Sequence, residues 1–162
     1  MEADYSTHFL FPGTLFAHRS PHKVSTILGT CVAVCLWDPL LRFGGINHYL
    51  LPYWNGEGLA SPKYGNIAIE KLLDHMVRLG SNPAHLKAKL FGGKNEGELD
   101  RSVWKVGKRN ILLAEEMLKE MQIPIVNSSM GGPLGRKIIF NTLNGDVMMK
   151  YIQTINQAEN GR

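Results

Sequence analysis

Apolar positions along the chain fall into two rhythms. Residues 31–37, CVAVCLW, form an almost unbroken apolar run, the pattern of a strand buried on both faces. Asp38-Pro39 ends it, because proline restricts the residue before it and cannot donate within a central strand. Residues 43–51 predict the next strand, with Gly44-Gly45 marking a bulge or a close backbone approach and Pro52 closing it. Shorter β-prone runs occupy 14–18, 24–28, 86–91 and 123–126. Residues 137–140 and 147–151 flank Asn144-Gly145, a hairpin signal. The second rhythm is helical. Over 65–79, Ile69, Leu72, Leu73, Met76 and Val77 recur at helix spacing, and Gly80 supplies a stop. A second helix follows the lead-in Gly107-Lys108-Arg109-Asn110, with an expected buried stripe of Ile111, Ala114, Met117, Leu118 and Met121. Residues 1–10 are expected to be a loosely held arm, 53–64, 96–105 and 128–133 loops, and the tail after Ile152 a fraying end.

Strands dominate, two helices stand out, and no regular β-α-β alternation runs through the chain. The pattern predicts an α/β fold, a compact sandwich with a mixed or mainly antiparallel sheet and two principal helices. A length of 162 residues predicts a single domain, and 44% apolar with 20% charged residues is ordinary for a soluble globular chain. The net charge of +4 is dispersed. It suits an acidic protein partner as well as a nucleic acid, and the latter requires a continuous basic stripe that the sequence does not display. No run of eighteen apolar residues exists, and MEADYSTHFL lacks a signal-peptide pattern.

The two cysteines, Cys31 and Cys35, lie four apart in one apparent strand. That spacing is about 13 Å, beyond the roughly 7 Å reach of a disulfide. Unbridged thiols point to a reducing, cytoplasmic setting. His18 and His22 have helical ligand spacing, but Pro21 argues against a helix there, so no metal site is expected.

Chemistry gathers at Cys31 and His48. Cys31 directly follows Gly29-Thr30, where the glycine is expected to permit an unusual backbone angle and the N–H groups near Thr30 and Cys31 to serve an oxyanion. Cys35, in mid-strand between Val34 and Leu36, reads as core. His48 shares a strand face with Ile46 and Leu50; it fits a base for a thiolate nucleophile and equally fits a buried histidine satisfied by a backbone group. The orienting group for its imidazole is a hydroxyl of Ser25, Thr26 or Thr30, since Asp38 is taken by its turn. Tyr53, Trp54 and Tyr64 are either packed lids or contact residues.

The segments TILGTCVAVCLWDP, GGINHYLLP, YGNIAIEKLL, KAKLFGGKNE, VGKRN and GGPLGRKIIFNTLNGDV together resemble the chemoreceptor glutamine deamidase family, CheD. The resemblance covers about residues 11–151, the expected core of a single domain spanning 1–162. It implies a cysteine hydrolase that converts glutamine side chains of methyl-accepting chemotaxis receptors to glutamate with release of ammonia. It also implies hydrolysis of receptor methyl esters. Its nucleophile matches Cys31 and its base His48. Its threonine matches Thr26 through the TxLGxC segment, with Ser25 the alternative third member. The implied partners are the cytoplasmic part of the receptors and a CheC-type phosphatase, and the implied fold is similar to glutamine-deamidating bacterial toxins. This chain departs from the family in Thr30, where serine is usual, and in Met130 before Gly131-Gly132, where an acid is usual. The alternatives are a non-catalytic or dual-use regulator, another cysteine hydrolase, or a nucleic-acid binder.

Overall fold

A computed structural model describes residues 3–97 and 105–153. In chain order the strands are β1 (Ser6–Phe9), β2 (Leu15–His18), β3 (His22–Leu28), β4 (Val32–Asp38) and β5 (Phe43–Asn47). Then come α1 (Gly65–Arg78), β6 (Lys87–Gly92), α2 (Val106–Glu120), β7 (Ile125–Met130), β8 (Gly135–Asn141) and β9 (Val147–Ile152). They form a four-stranded sheet, β1-β3-β8-β9, and a five-stranded sheet, β2-β5-β4-β6-β7. The β1–β3 and β6–β7 pairs are parallel and the others antiparallel. The expected mixed-sheet α/β sandwich with two principal helices is what the chain forms.

The central run of apolar residues explains the layering. Successive strand side chains point to opposite faces. Val32, Val34 and Leu36 of β4 therefore join a cluster with Ala68, Leu72 and Met76 of α1 and Leu113, Ala114 and Leu118 of α2. Ala33 and Cys35 face the other way, into a second cluster with Val24 and Leu28 of β3, Ile46 of β5, and Ile138 and Phe140 of β8. β4 is covered on both sides, so it needs no polar alternation. Each fully buried Val, Leu, Ile, Met or Phe side chain among these contributes about 1.5–3 kcal/mol.

Gly44-Gly45 makes a close approach without a bulge: the β4–β5 register runs unbroken from Cys35↔Ile46 to Asp38↔Phe43. A Cβ at Gly44 would lie 2.7 Å from the Leu36 carbonyl, and one at Gly45 2.8 Å from Leu72.

Three expectations are corrected. Part of the supposed N-terminal arm is β1, whose residues pair in parallel with β3 from Ser6↔His22 to Phe9↔Ser25. Residues 128–130, expected as loop, continue β7 along β6 to the Gly92↔Met130 pair. The turn comes only at Gly131 and Gly132, both at positive φ (78° and 73°). Finally, α2 begins at Val106, so its buried face is Gly107, Asn110, Leu113, Ala114 and Leu118, while Ile111, Met117 and Met121 are half-buried. Residues 98–104 of the expected 96–105 loop, and the tail from 154, lie outside the described residues. Among those described, no helix is long and apolar enough to cross a membrane.

Candidate active site

The site forms where β4 and the chain after β5 run out of regular ladder. Tyr49 N–H donates to the Val32 carbonyl (3.0 Å) and Val32 N–H to the Tyr49 carbonyl (3.2 Å). This isolated antiparallel bridge continues the β4–β5 register. Val32 and Tyr49 both enter the helix-side cluster. Continued inward from the bridge, the register sets His48 opposite Ala33 on the other face, the face toward which Cys31 also packs. Cys31 lies just before β4, half-buried against the inter-sheet cluster.

Thr26 enters from the opposite sheet, between Val24 and Leu28 on the inward face of β3. Its Oγ1 lies 2.7 Å from His48 Nδ1 and its hydroxyl donates to the Leu10 carbonyl at 2.8 Å. A hydroxyl has one proton. With that proton on Leu10, Thr26 Oγ1 accepts from His48 Nδ1–H, and the lone pair of the neutral ring sits on Nε2. Nε2 is buried and has no hydrogen-bond partner among the described residues. Ser25 occupies the opposite face of β3, and its carbonyl accepts from Leu10 N–H. Of the hydroxyls left open by the sequence, Ser25, Thr26 and Thr30, Thr26 is the one brought to the imidazole.

His48 is 1% exposed, and burial pushes its pKa down to about 4. Burial likewise raises the Cys31 thiol, opposed in part by its own backbone N–H. At neutral pH the resting pair is therefore neutral thiol and neutral imidazole. Cys35 is sealed in the inter-sheet core and burial pushes its pKa far up. Asp38 serves its own turn, accepting from Leu40 N–H, Leu41 N–H and the Ser81 hydroxyl.

A cleft of about 530 Å³ opens over Thr30 and Cys31. Leu50, Leu51, Val106 and Gly107 form its walls, and Lys63, Lys94, Asn95 and Glu96 line the rest. A hollow of about 270 Å³, reaching Tyr53 and Arg109, shares Leu51 and Val106 with it. Trp54 is tied into its own loop, Nε1 donating to the Glu57 carbonyl at 2.9 Å. Tyr64 sits at the N-terminal boundary of α1 under Lys63 Nζ. His18 and His22 do come together, their ring centroids 4.9 Å apart, but both Nδ1 atoms are spent on Ser20. Among the described residues no three metal-ligating side chains converge.

The backbone beside Cys31 is held at every carbonyl. Gly29 accepts from Lys94 N–H (2.9 Å) and Cys31 from Gly93 N–H (2.8 Å). Thr30 accepts from Asn110 Nδ2 (3.0 Å). The expected special glycine is displaced. Gly29 has no left-handed φ and open space around a Cβ, whereas Gly92 and Gly93, where the chain leaves β6, have φ of 109° and 69°. A Cβ on Gly92 would strike the Cys31 carbonyl.

Sequence reasoning missed Asn110 and Arg136. Asn110 sits three residues after Gly107 on the same helical face, and a polar residue at that period was the available signal. Arg136, 2% exposed, alternates with inward-facing Ile138 and Phe140. It donates to Ser129 Oγ (3.0 Å) and the Gly131 carbonyl (2.7 Å), bracing the turn behind the cleft.

A family model described as CheD chemotactic sensory transduction matches residues 50–151. Three curated relatives align along most of the chain. The probable chemoreceptor glutamine deamidase CheD of Trichlorobacter lovleyi is 48% identical over 142 residues, 88% of each chain. The protein of the same description from Sulfurimonas denitrificans is 45% identical over 151 residues, covering 93% of this chain and 97% of its own. The probable chemoreceptor glutamine deamidase CheD 1 of Anaeromyxobacter dehalogenans is 38% identical over 144 residues, 89% of this chain and 84% of its own.

Proposed function

The chain belongs to the CheD chemotactic sensory transduction family, and we propose that it deamidates glutamine side chains on the cytoplasmic part of chemoreceptors, with Cys31 as nucleophile, His48 as base and Thr26 as the group orienting His48. The observation that carries this reading is His48 held in one tautomer by Thr26, its buried Nε2 without a partner among the described residues, on the face toward which Cys31 packs.

The steps follow from the neutral resting pair. As the carboxamide enters the cleft, His48 Nε2 takes the Cys31 thiol proton and Sγ bonds to the carboxamide carbon. The N–H groups of Thr30 and Cys31 take the oxyanion. His48 passes its proton to the amide nitrogen, the C–N bond breaks, ammonia leaves and a thioester remains. Water then loses a proton to His48 and attacks the thioester carbon. The C–S bond breaks, the sulfur is reprotonated and glutamate is released. Receptor methyl esters would follow the same path with methanol leaving. No cofactor enters any step.

The glutamine arrives on a protein, so the apolar walls of the cleft and the hollow reaching Tyr53 and Arg109 are the surfaces for recognition. A CheC-type phosphatase is the second partner in this reading, through its family resemblance. The test is intact-mass measurement of a receptor cytoplasmic fragment incubated with the protein. We expect about +1 Da per converted glutamine and an unchanged mass with Cys31→Ala. A Cys31→Ala protein working at the wild-type rate overturns the reading.

A further inference from the structure

We propose that Asn110 is a positioning residue for this reaction: its carboxamide fixes the peptide plane between Thr30 and Cys31, holding the Cys31 N–H where the oxyanion forms. The inference rests on the acyl-transfer reading above and assigns a role to a helix residue that touches no reacting atom.

Asn110 is fully buried on the inner face of α2. Its Nδ2 spends both protons on backbone carbonyls, Thr30 O and Leu50 O, each at 3.0 Å. Thr30 and Leu50 lie just past the Val32–Tyr49 bridge, where the regular ladder stops. The side chain thus stands in for a missing rung. Its orientation is forced, because the flipped amide would set Oδ1 against two carbonyl oxygens. Oδ1 itself is buried and has no hydrogen-bond partner among the described residues.

The consequence for Cys31 is geometric. In a trans peptide the C=O and the following N–H point in opposite directions. With the Thr30 carbonyl held toward α2, the Cys31 N–H is turned away from the helix. The planes on either side are fixed too, by Lys94 N–H on Gly29 and Gly93 N–H on Cys31. Among the described residues, the N–H groups of Thr30 and Cys31 donate to no other backbone or side-chain oxygen. The backbone of Cys31 itself favours the thiolate, against the larger opposing effect of burial. One N–H thus serves the nucleophile and is free to serve the oxyanion.

A purely structural role makes a different forecast, since Asn110 also accepts the Tyr49 hydroxyl on its carbonyl (2.5 Å) and Leu113 anchors the same helix face. The experiment compares Asn110→Ala and Asn110→Ser with Leu113→Ala. The readouts are kcat and KM on the receptor fragment, melting temperature, and the pH dependence of Cys31 alkylation by iodoacetamide. Loss of a fixed oxyanion donor should lower kcat in Asn110→Ala by about 10²-fold with KM within about twofold. It should also move the alkylation profile of Cys31 to higher pH. Asn110→Ser, which keeps one donor, should fall between. Leu113→Ala should lose stability with kcat and the alkylation profile kept. Three results would overturn the proposal: a folded Asn110→Ala with wild-type kcat and alkylation profile, the same kcat loss in Leu113→Ala, or failure of both Asn110 variants to fold. If the wild-type protein leaves receptor glutamines unchanged, the deamidase reading fails separately, and the alkylation profile alone decides whether Asn110 sets the Cys31 backbone.

Discussion

At the scale of single residues, the decisive contact is the one between Thr26 and His48. Without the hydroxyl, His48 Nδ1–H and the Leu10 carbonyl both lose a buried partner, and nothing selects the ring tautomer. Thr26→Val should therefore cost about 1–3 kcal/mol of stability and lower kcat by about 10–10²-fold. Thr26→Ser, which retains the oxygen, should stay near wild type. Urea titration and single-turnover deamidation measure the two effects, and a fully active Thr26→Val protein would remove Thr26 from the mechanism. Strand spacing left Thr26 as one of several neighbouring hydroxyls, and the family resemblance put it first with Ser25 as the alternative. Strand alternation says that Ser25 and Thr26 face opposite ways. It does not say which face meets His48, because that is decided by how two sheets stack, a contact 22 positions apart along the chain.

Elements show the same division between what is local and what is not. β4, α1 and the β8–β9 hairpin were legible because apolar period and turn chemistry are local signals. β1 and the end of β7 were not, since STHF and NSSM carry no apolar alternation and are held by the backbone of a neighbouring strand. The first turn of α2 was hidden for another reason: its buried positions are a glycine and an asparagine. Gly107 is there for space. A Cβ would collide with the Lys94 carbonyl and lie 2.8 Å from the Gly93 carbonyl, pushing α2 off the turn that holds Cys31. Gly107→Ala should cost about 1–3 kcal/mol and reduce turnover, while Gly29→Ala, with nothing within 4 Å of its new Cβ, should be tolerated. Melting temperatures and initial rates of the pair check this, and equal behaviour of the two variants would refute it.

Across the whole molecule, buried titratable groups make stability a function of pH. His48 is held neutral in the fold down to about 4, while in the unfolded chain it takes a proton near its ordinary value of about 6.5. The unfolded state therefore binds more protons between these values. The stabilisation is intact above pH about 6.5 and is lost as the pH falls toward 4, amounting to about 3 kcal/mol over that window. Asp38 adds to the acid sensitivity at lower pH. Burial alone would raise its pKa, but the Leu41 N–H, the Ser81 hydroxyl and the Leu40 N–H outweigh that and hold it below the ordinary carboxylate value. Its contribution persists until the pH drops through that lowered value. Urea midpoints at pH 7 and 4.5 should differ more for the wild type than for His48→Gln, and parallel losses in the two proteins would assign the acid sensitivity elsewhere.

The hydrogen bond from His48 to Thr26 joins the five-stranded layer to the four-stranded one. In the deamidase reading the base is set in one slab and its brace in the other, so the alignment of the imidazole depends on how the slabs stack. On that reading, a substitution that shifts one slab against the other by the length of one hydrogen bond should slow turnover while every strand stays paired.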